Sequence, residues 1–305
     1  MESRPDSHSA AIANRGATAG GHFTRRVTQK ARELAFETAF YARLGRTWPE
    51  RLSVVKLVAK LYAARLMPFD TFGWETTIRV RGIRYCVGVR TSEAYVFHEI
   101  YEFRQYDRHP DFIPQSGWTV FDVGANIGVF TVLQACRGAN VYSFEPNPDS
   151  YGRLSKNVAM NHLTDRVHLF ASALGDKPGT GTMQVSRGGT TGGVVIPATE
   201  GGVVQGPSVS IATLDQVVTT LAVSRIDLLK IDTEGSEVAV LRGAERTLRV
   251  VLRIIVEYHS RDLLRSVEDI LARAGFSREA LVDYYAEDMA AGQEEVGILY
   301  ARRLT

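Results

Sequence analysis

The side chains able to do chemistry gather just after apolar runs. Asp122 stands in Val120-Phe-Asp-Val123, with Gly124, Asn126 and Gly128 close behind it, and Glu145 follows Val141-Tyr-Ser-Phe144. Asp232, Glu234 and Glu237 follow Leu228-Leu-Lys-Ile231, and His259 closes Ile254-Ile-Val-Glu-Tyr258. A glycine turn between a buried strand and a helix lets backbone approach a ligand closely, and the helix start offers free N–H groups. The spacing narrows the ligand. A dinucleotide turn needs three glycines as GxGxxG, whereas here a single G-x-x-x-G follows Asp122; a phosphate loop needs Gly-Lys-Ser or Gly-Lys-Thr, and Gly128-Val129-Phe130 offers neither. A carboxylate facing the turn repels phosphate and suits an amine and hydroxyls. Glu145, 23 residues beyond Asp122, is spaced to accept two hydrogen bonds from a ribose diol. A nucleoside without a phosphate cradle points to S-adenosylmethionine rather than NAD.

The second group carries three carboxylates within six residues, from Asp232 to Glu237. Such a cluster is costly unless a cation, a metal or substrate protons balance it. Methyl transfer from a sulfonium is an in-line displacement, and an alcohol acceptor must lose its proton as the new bond forms, to a base or with help from a metal. Asp232 or His259 is the expected base, with Glu234 and Glu237 orienting the acceptor or holding a basic partner. A divalent cation on Asp232 with Glu234 or Glu237 is the alternative. N-methylation, and a nucleoside-binding module without catalysis, are the rival functions.

Positioning these residues requires a regular scaffold. Strands are expected at 119–123, 140–145, 167–172, 226–231 and 252–258, alternating with helices near 127–137, 149–161, 213–221, 236–249 and 261–274. That alternation is the signature of a doubly wound, mostly parallel sheet with helices on both faces. Segments 276–285 and 296–302 read as a closing antiparallel pair. Between Leu174 and Ser210 the periodicity fails: Gly188, Gly189, Gly192, Gly193, Gly201 and Gly202 predict a hairpin with a long mobile loop, a flap over the acceptor. Upstream, Ile78, Val80, Ile83, Tyr85 and Val87 alternate around Arg81-Gly82 as a hairpin, and Glu93 to Gln105 reads as a helix that could carry Tyr101, Phe103 and Tyr106 as a lid.

The first 24 residues lack periodicity and read as a disordered tail. Residues 25–44 and 50–67 read as amphipathic helices, a cap with a basic face for a membrane or partner. The 305 residues are 45% hydrophobic, enough for a full core. Net charge is +2, but residues 1–70 hold twelve Lys/Arg against six Asp/Glu (+6), leaving 24 against 28 (−4) for the rest. An acidic catalytic part argues against a nucleic-acid substrate. Cys86 and Cys136, without metal-ligand spacing, are expected as reduced core thiols of a cytoplasmic protein. The division is a tail at 1–24, helices at 25–70, hairpin and lid at 71–115, and a catalytic domain at 116–305.

Taken together, Phe121-Asp-Val-Gly-Ala-Asn-Ile-Gly128, Phe144-Glu-Pro-Asn147, Ala173-Leu-Gly-Asp176, Thr213-Leu-Asp215 and Lys230-Ile-Asp-Thr-Glu-Gly-Ser-Glu237 resemble the FkbM-type S-adenosylmethionine-dependent methyltransferases. The resemblance spans about residues 90 to 260. It implies a seven-stranded class I Rossmann-like methyltransferase fold and O-methylation of a sugar, glycolipid or polyketide-type hydroxyl. It also implies that Asp122 and Gly124 hold the methionine end of the cofactor, Glu145 the ribose, and Ala173 the adenine surroundings. Asn126, Gly128 and Asn147, in the same matched turns, join the expected cofactor site.

Overall fold

The computed structural model describes residues 34–67, 74–89, 91–185, 193–197, 206–283 and 296–304. The expected tail, the start of the first helix, and the flap apart from its strand residues lie outside them; of the six flap glycines only Gly193 is described. Among the described residues no helix is long and apolar enough to cross a membrane.

The chain enters through helical residues 34–42 and helix α1 (Trp48–Leu66), then strands β1 (Glu75–Val80) and β2 (Ile83–Gly88). The hairpin turn uses positive φ at both Arg81 and Gly82. Glu50, in the first turn of α1, is buried and accepts hydrogen bonds from the backbone N–H groups of Arg46, Thr47 and Gly82. One carboxylate thereby caps the helix and pins the hairpin to it. The expected lid helix is instead a short α2 (Thr91–Phe97) that widens into a π-helical turn, His98–Glu102. Tyr101 and Tyr106 are buried, with the Tyr101 hydroxyl paired to that of Tyr85 at 2.6 Å, and only Phe103 reaches water appreciably. This segment is wall rather than lid because its aromatic rings are spent in the core.

The rest is β3 (Thr119–Val123), α3 (Val129–Cys136), β4 (Asn140–Phe144), α4 (Pro148–Met160), β5 (Val167–Phe170), β6 (Ser172–Leu174), β7 (Gly179–Val185), β8 (Gly193–Pro197), β9 (Ser208–Ala212), α5 (Leu214–Thr220), β10 (Leu228–Ile231), α6 (Glu237–Arg242), β11 (Arg253–Tyr258), α7 (Arg261–Arg273), β12 (Phe276–Asp283) and β13 (Gly297–Arg303). Seven strands form the main sheet in the order β12-β13-β11-β10-β3-β4-β5. The five central and edge strands from β11 to β5 are parallel, and β13 runs antiparallel to both β11 and β12. This is the class I Rossmann-like methyltransferase fold. Alternation divides the core: Val120, Val141, Leu228 and Ile255 face one layer, while Phe121, Val123, Leu229, Ile231 and Ile254 face the other. Strand order reverses between β3 and β10, so a crevice opens at their carboxyl ends.

Three local expectations are corrected. The strand expected over 167–172 divides at Ala171: β5 stays in the main sheet, while β6 opens a second, four-stranded sheet ordered β6-β9-β7-β8. The helix expected over 236–249 stops after Arg242 with Gly243 as its cap, a position where a Cβ would lie 2.0 Å from the Gly175 carbonyl oxygen. A 3-10 turn, Thr247–Val250, follows, and Asp215 fixes it by accepting from the Arg246 and Thr247 amides. Cys136 is exposed, and only Cys86 is a buried thiol.

Gly124 is the tightest point of the crevice. It has φ +81°, and a Cβ built there would sit 1.7 Å from the Asp232 carbonyl oxygen. Gly124→Ala should therefore destabilise the fold by about 2–4 kcal/mol, the sum of left-handed backbone strain and overpacking. Urea unfolding checks this, and an unchanged midpoint would mean that the β3 and β10 loops separate without cost.

Candidate active site

The crevice is a cavity of about 920 Å³, the size of a small-molecule site. One wall starts from the loop after β3. The amides of Gly124 and Ala125 both donate to the Phe144 carbonyl at 3.0 Å, tying this loop to the end of β4. Asn126 takes φ +52° and turns its amide onto Glu145 Oε2 at 2.7 Å, while the Asn147 amide donates to Oε1 at 2.8 Å. The Asn147 side chain meanwhile caps α4 by accepting from Asp149 and Ser150. Both oxygens of Glu145 are thus aimed by backbone, each keeping acceptor capacity toward the cavity it lines. Burial raises the Glu145 carboxyl to about 7, against the two backbone donors.

Behind this wall lies a buried ion pair. Lys230 stands opposite Asp122 in the β10–β3 register. Its ammonium donates to Asp122 Oδ1 at 3.0 Å and to the Gly124 carbonyl at 3.3 Å, and lies 3.4 Å from Asp232 Oδ2. Burial opposes the charge, but Asp122 and Asp232 outweigh it and hold Lys230 protonated. The second Asp122 oxygen accepts from Thr131 at 2.6 Å.

The opposite wall is acidic. The Tyr106 hydroxyl lies 2.9 Å from Asp232 Oδ2 and 2.6 Å from Glu257 Oε2. One phenolic proton cannot serve both acids. Burial, then the charges of Asp232 and Glu99, raise Glu257 well above the usual carboxylate range. The Tyr106 hydroxyl is within donating reach of both carboxylates and bridges Glu257 and Asp232. Glu99, which lines the same wall, is raised to about 7 by burial and by Asp232 and Glu234. His259 contacts Glu237 Oε1 through Nδ1 at 3.2 Å and Glu234 Oε2 through Nε2 at 3.3 Å. Burial works against its charge, yet Glu237, Asp232 and Glu234 raise its pKa to about 10. Donor atoms of Asp232, Glu257 and His259 lie within 4.8 Å of one another, but Lys230 and the imidazolium already supply cationic charge there.

The structure therefore sorts the residues expected from sequence. Gly124, Asn126, Glu145, Asn147 and Ala173 line the cavity on one side, and Asp232 and Glu234 on the other. Asp122 does not line the cavity: it is fully buried, and its carboxylate pairs with Lys230 and Thr131. Gly128 is also behind the wall, where a Cβ would strike Leu154 at 2.3 Å. Glu237 and His259 stand behind Glu234 rather than on the surface of the cavity. Lys230, Tyr106, Glu99 and Glu257 belong to the site without having been singled out for it. Of these, Lys230 had a sequence signal, a charge inside an apolar strand beside the Asp122 strand.

A model of the FkbM methyltransferase domain matches residues 122–278. The chain belongs to this family. Hexuronic acid methyltransferase AglP of Haloferax volcanii is 30% identical over 185 residues, covering 58% of this chain and 70% of AglP. The 31-O-demethyl-FK506 methyltransferase FkbM of Streptomyces tacrolimicus is 28% identical, covering 66% of this chain and 88% of its own. The 2-O-methyltransferase NoeI of Sinorhizobium fredii is 28% identical over 50% of this chain and 70% of NoeI. As a member of this family the chain is an S-adenosylmethionine-dependent methyltransferase, and the Glu145 wall offers what a ribose diol requires: a carboxylate aimed by backbone donors beside a close-packed glycine.

Ribose hydroxyls donate to a charged carboxylate better than to a carboxylic acid. S-adenosylmethionine should therefore bind more tightly above pH 7 and weaken as Glu145 protonates, because its pKa in the empty site is about 7. Calorimetry one unit either side of that value checks the sign, and Glu145→Gln should flatten the dependence. Glu145→Ala should weaken binding roughly tenfold or more; equal affinity in the variant would remove Glu145 from the cofactor site.

Proposed function

We propose that this enzyme methylates a hydroxyl group on a sugar, glycolipid or polyketide-type acceptor, with Asp232 as the proton acceptor. The observation that carries this reading is the fixed Asp232 carboxylate on the cavity wall: Oδ2 is held by Tyr106 and Lys230, and Oδ1 takes no hydrogen bond among the described residues. The named activities of FkbM and NoeI, both O-methyl chemistry, favour an oxygen acceptor.

S-adenosylmethionine, when bound, supplies an activated methyl group for in-line displacement. The chain's part is positioning and proton management. Glu145 and the Gly124–Asn126 loop hold the nucleoside. The acidic wall receives the acceptor, and Asp232 Oδ1 takes its hydroxyl proton as the oxygen–methyl bond forms. Tyr106 keeps Asp232 in one rotamer by donating to Oδ2, while Lys230 stabilises the carboxylate before the proton arrives. His259 is already protonated at neutral pH, so it cannot take a proton there. Its role in this reading is to hold Glu234 and Glu237 in place.

The test begins with an acceptor, found by incubating enzyme, labelled S-adenosylmethionine and a metabolite and glycolipid extract, then locating the added methyl by mass spectrometry. On that acceptor Asp232→Asn should lose about a hundred- to ten-thousand-fold in turnover with cofactor affinity nearly unchanged. His259→Ala should retain far more activity, and a chelator should leave turnover intact. A methyl on nitrogen, near-normal turnover in Asp232→Asn, or loss with chelator and recovery with magnesium would each overturn the assignment.

A further inference from the structure

The N-terminal cap carries a surface that methyl transfer leaves unexplained. Arg43 and Arg46 follow the 34–42 helix, Arg81 sits on the β1–β2 turn, and Arg104 follows the π-helical turn; all four are exposed. The fold draws these separate segments together. Burial, and then the like charges of Arg46 and Arg104, lower the Arg81 pKa, with Glu102 opposing them. Arg43, after burial, similarly disfavours charge on His98. Guanidinium groups gathered at a surface repel one another and create a field that attracts anions.

Apolar side chains stand in water on the same cap. Trp48 is 82% exposed, Phe36 72% and Leu52 54%, with Phe103 at 39% beside Arg104. On α1, Trp48 and Leu52 are one turn apart and share the exposed side with Arg51, Lys56 and Lys60, while Glu50, the helix's only acid, is buried. Tryptophan and leucine flanked by lysine and arginine, without acids, are the composition of a helix that lies in a membrane interface.

We propose that this face docks the enzyme on an anionic lipid bilayer, the arginines and lysines on headgroup phosphates and Trp48 and Leu52 in the interfacial layer. Residues 34–67 carry six Lys/Arg against two Asp/Glu, a net positive segment suited to such a surface. Docking also places the cavity near the lipid. Phe40 stacks on His98 with ring centroids 3.7 Å apart, and the next two residues, Glu99 and Ile100, line the acidic wall. Docking does not depend on which hydroxyl is methylated.

Co-sedimentation of the full chain with phosphatidylcholine vesicles, with and without phosphatidylserine, tests this directly. Binding should require phosphatidylserine and fall with added salt, because the attraction is screened. Arg46→Gln with Arg104→Gln should lower partitioning roughly ten- to thirtyfold, and Trp48→Ala should lower it too, with melting temperature and cofactor affinity unchanged. No vesicle binding, equal binding to both vesicle types, or variants that bind like wild type would overturn the proposal. So would a dimer in sedimentation velocity that Trp48→Ala dissociates while vesicles go unbound, which would give the face to a second copy of the chain.

Discussion

The arrangement depends first on one charge pair between neighbouring strands. Lys230 and Asp122 are both buried, 3.0 Å apart, on neighbouring strands in the middle of the sheet. Burying two ions costs several kcal/mol each, which their attraction offsets only with good geometry and satisfied hydrogen bonds. Here Thr131 serves the aspartate, the Gly124 carbonyl serves the ammonium, and Asp232 shares the positive charge. The pair thereby couples the cofactor loop after β3 to the acid after β10. Neither loop can move without leaving a buried charge unmatched. Gly124 enforces the same closeness sterically, since no side chain fits between it and the Asp232 carbonyl.

That constraint shapes the electrostatics of the opposite wall. Asp232, Glu234, Glu99 and Glu257 all line the cavity, with Lys230 and His259 in contact with this group. Burial and the charge of Asp232 raise both Glu257 and Glu234 above the usual carboxylate range. His259 becomes a fixed cation. His259 is thereby set between Glu234 and Glu237, while Asp232 lines the cavity and its Oδ1 takes no hydrogen bond among the described residues.

The additions outside the main sheet complete the site from two directions. The second sheet contributes Ala173, Met183, Val195 and Ile211 to the cavity lining, an apolar surface beside the Glu145 wall. The N-terminal cap contributes through α2 and the π-helical turn; Glu50 ties α1 to the hairpin, and the buried Arg153–Glu93 pair, 2.8 Å apart, ties α2 to α4. Catalytic fold and extension therefore form one packed unit around the cavity.

Local and periodic features were legible in the sequence alone. The strand, glycine turn and helix at 119–136, the alternation that yields a parallel sheet, the closing antiparallel pair and the placing of Glu145 at a strand end all follow from side-chain periodicity and backbone demands within about ten residues. Tertiary structure decided what each ionisable group does, because charge state depends on neighbours far away in the chain. Asp122 reads as a ligand contact until Lys230, 108 residues later, consumes it. His259 reads as a strand-end base, and packing sets it against Glu234 and Glu237 from the segment after β10. Tyr106 reads as a lid aromatic until Asp232 and Glu257, 126 and 151 residues away, meet at its hydroxyl. Sequence determined which elements form and which residues reach the crevice edge; only packing determined which face the cavity, which are spent in pairs behind it, and which carry a proton.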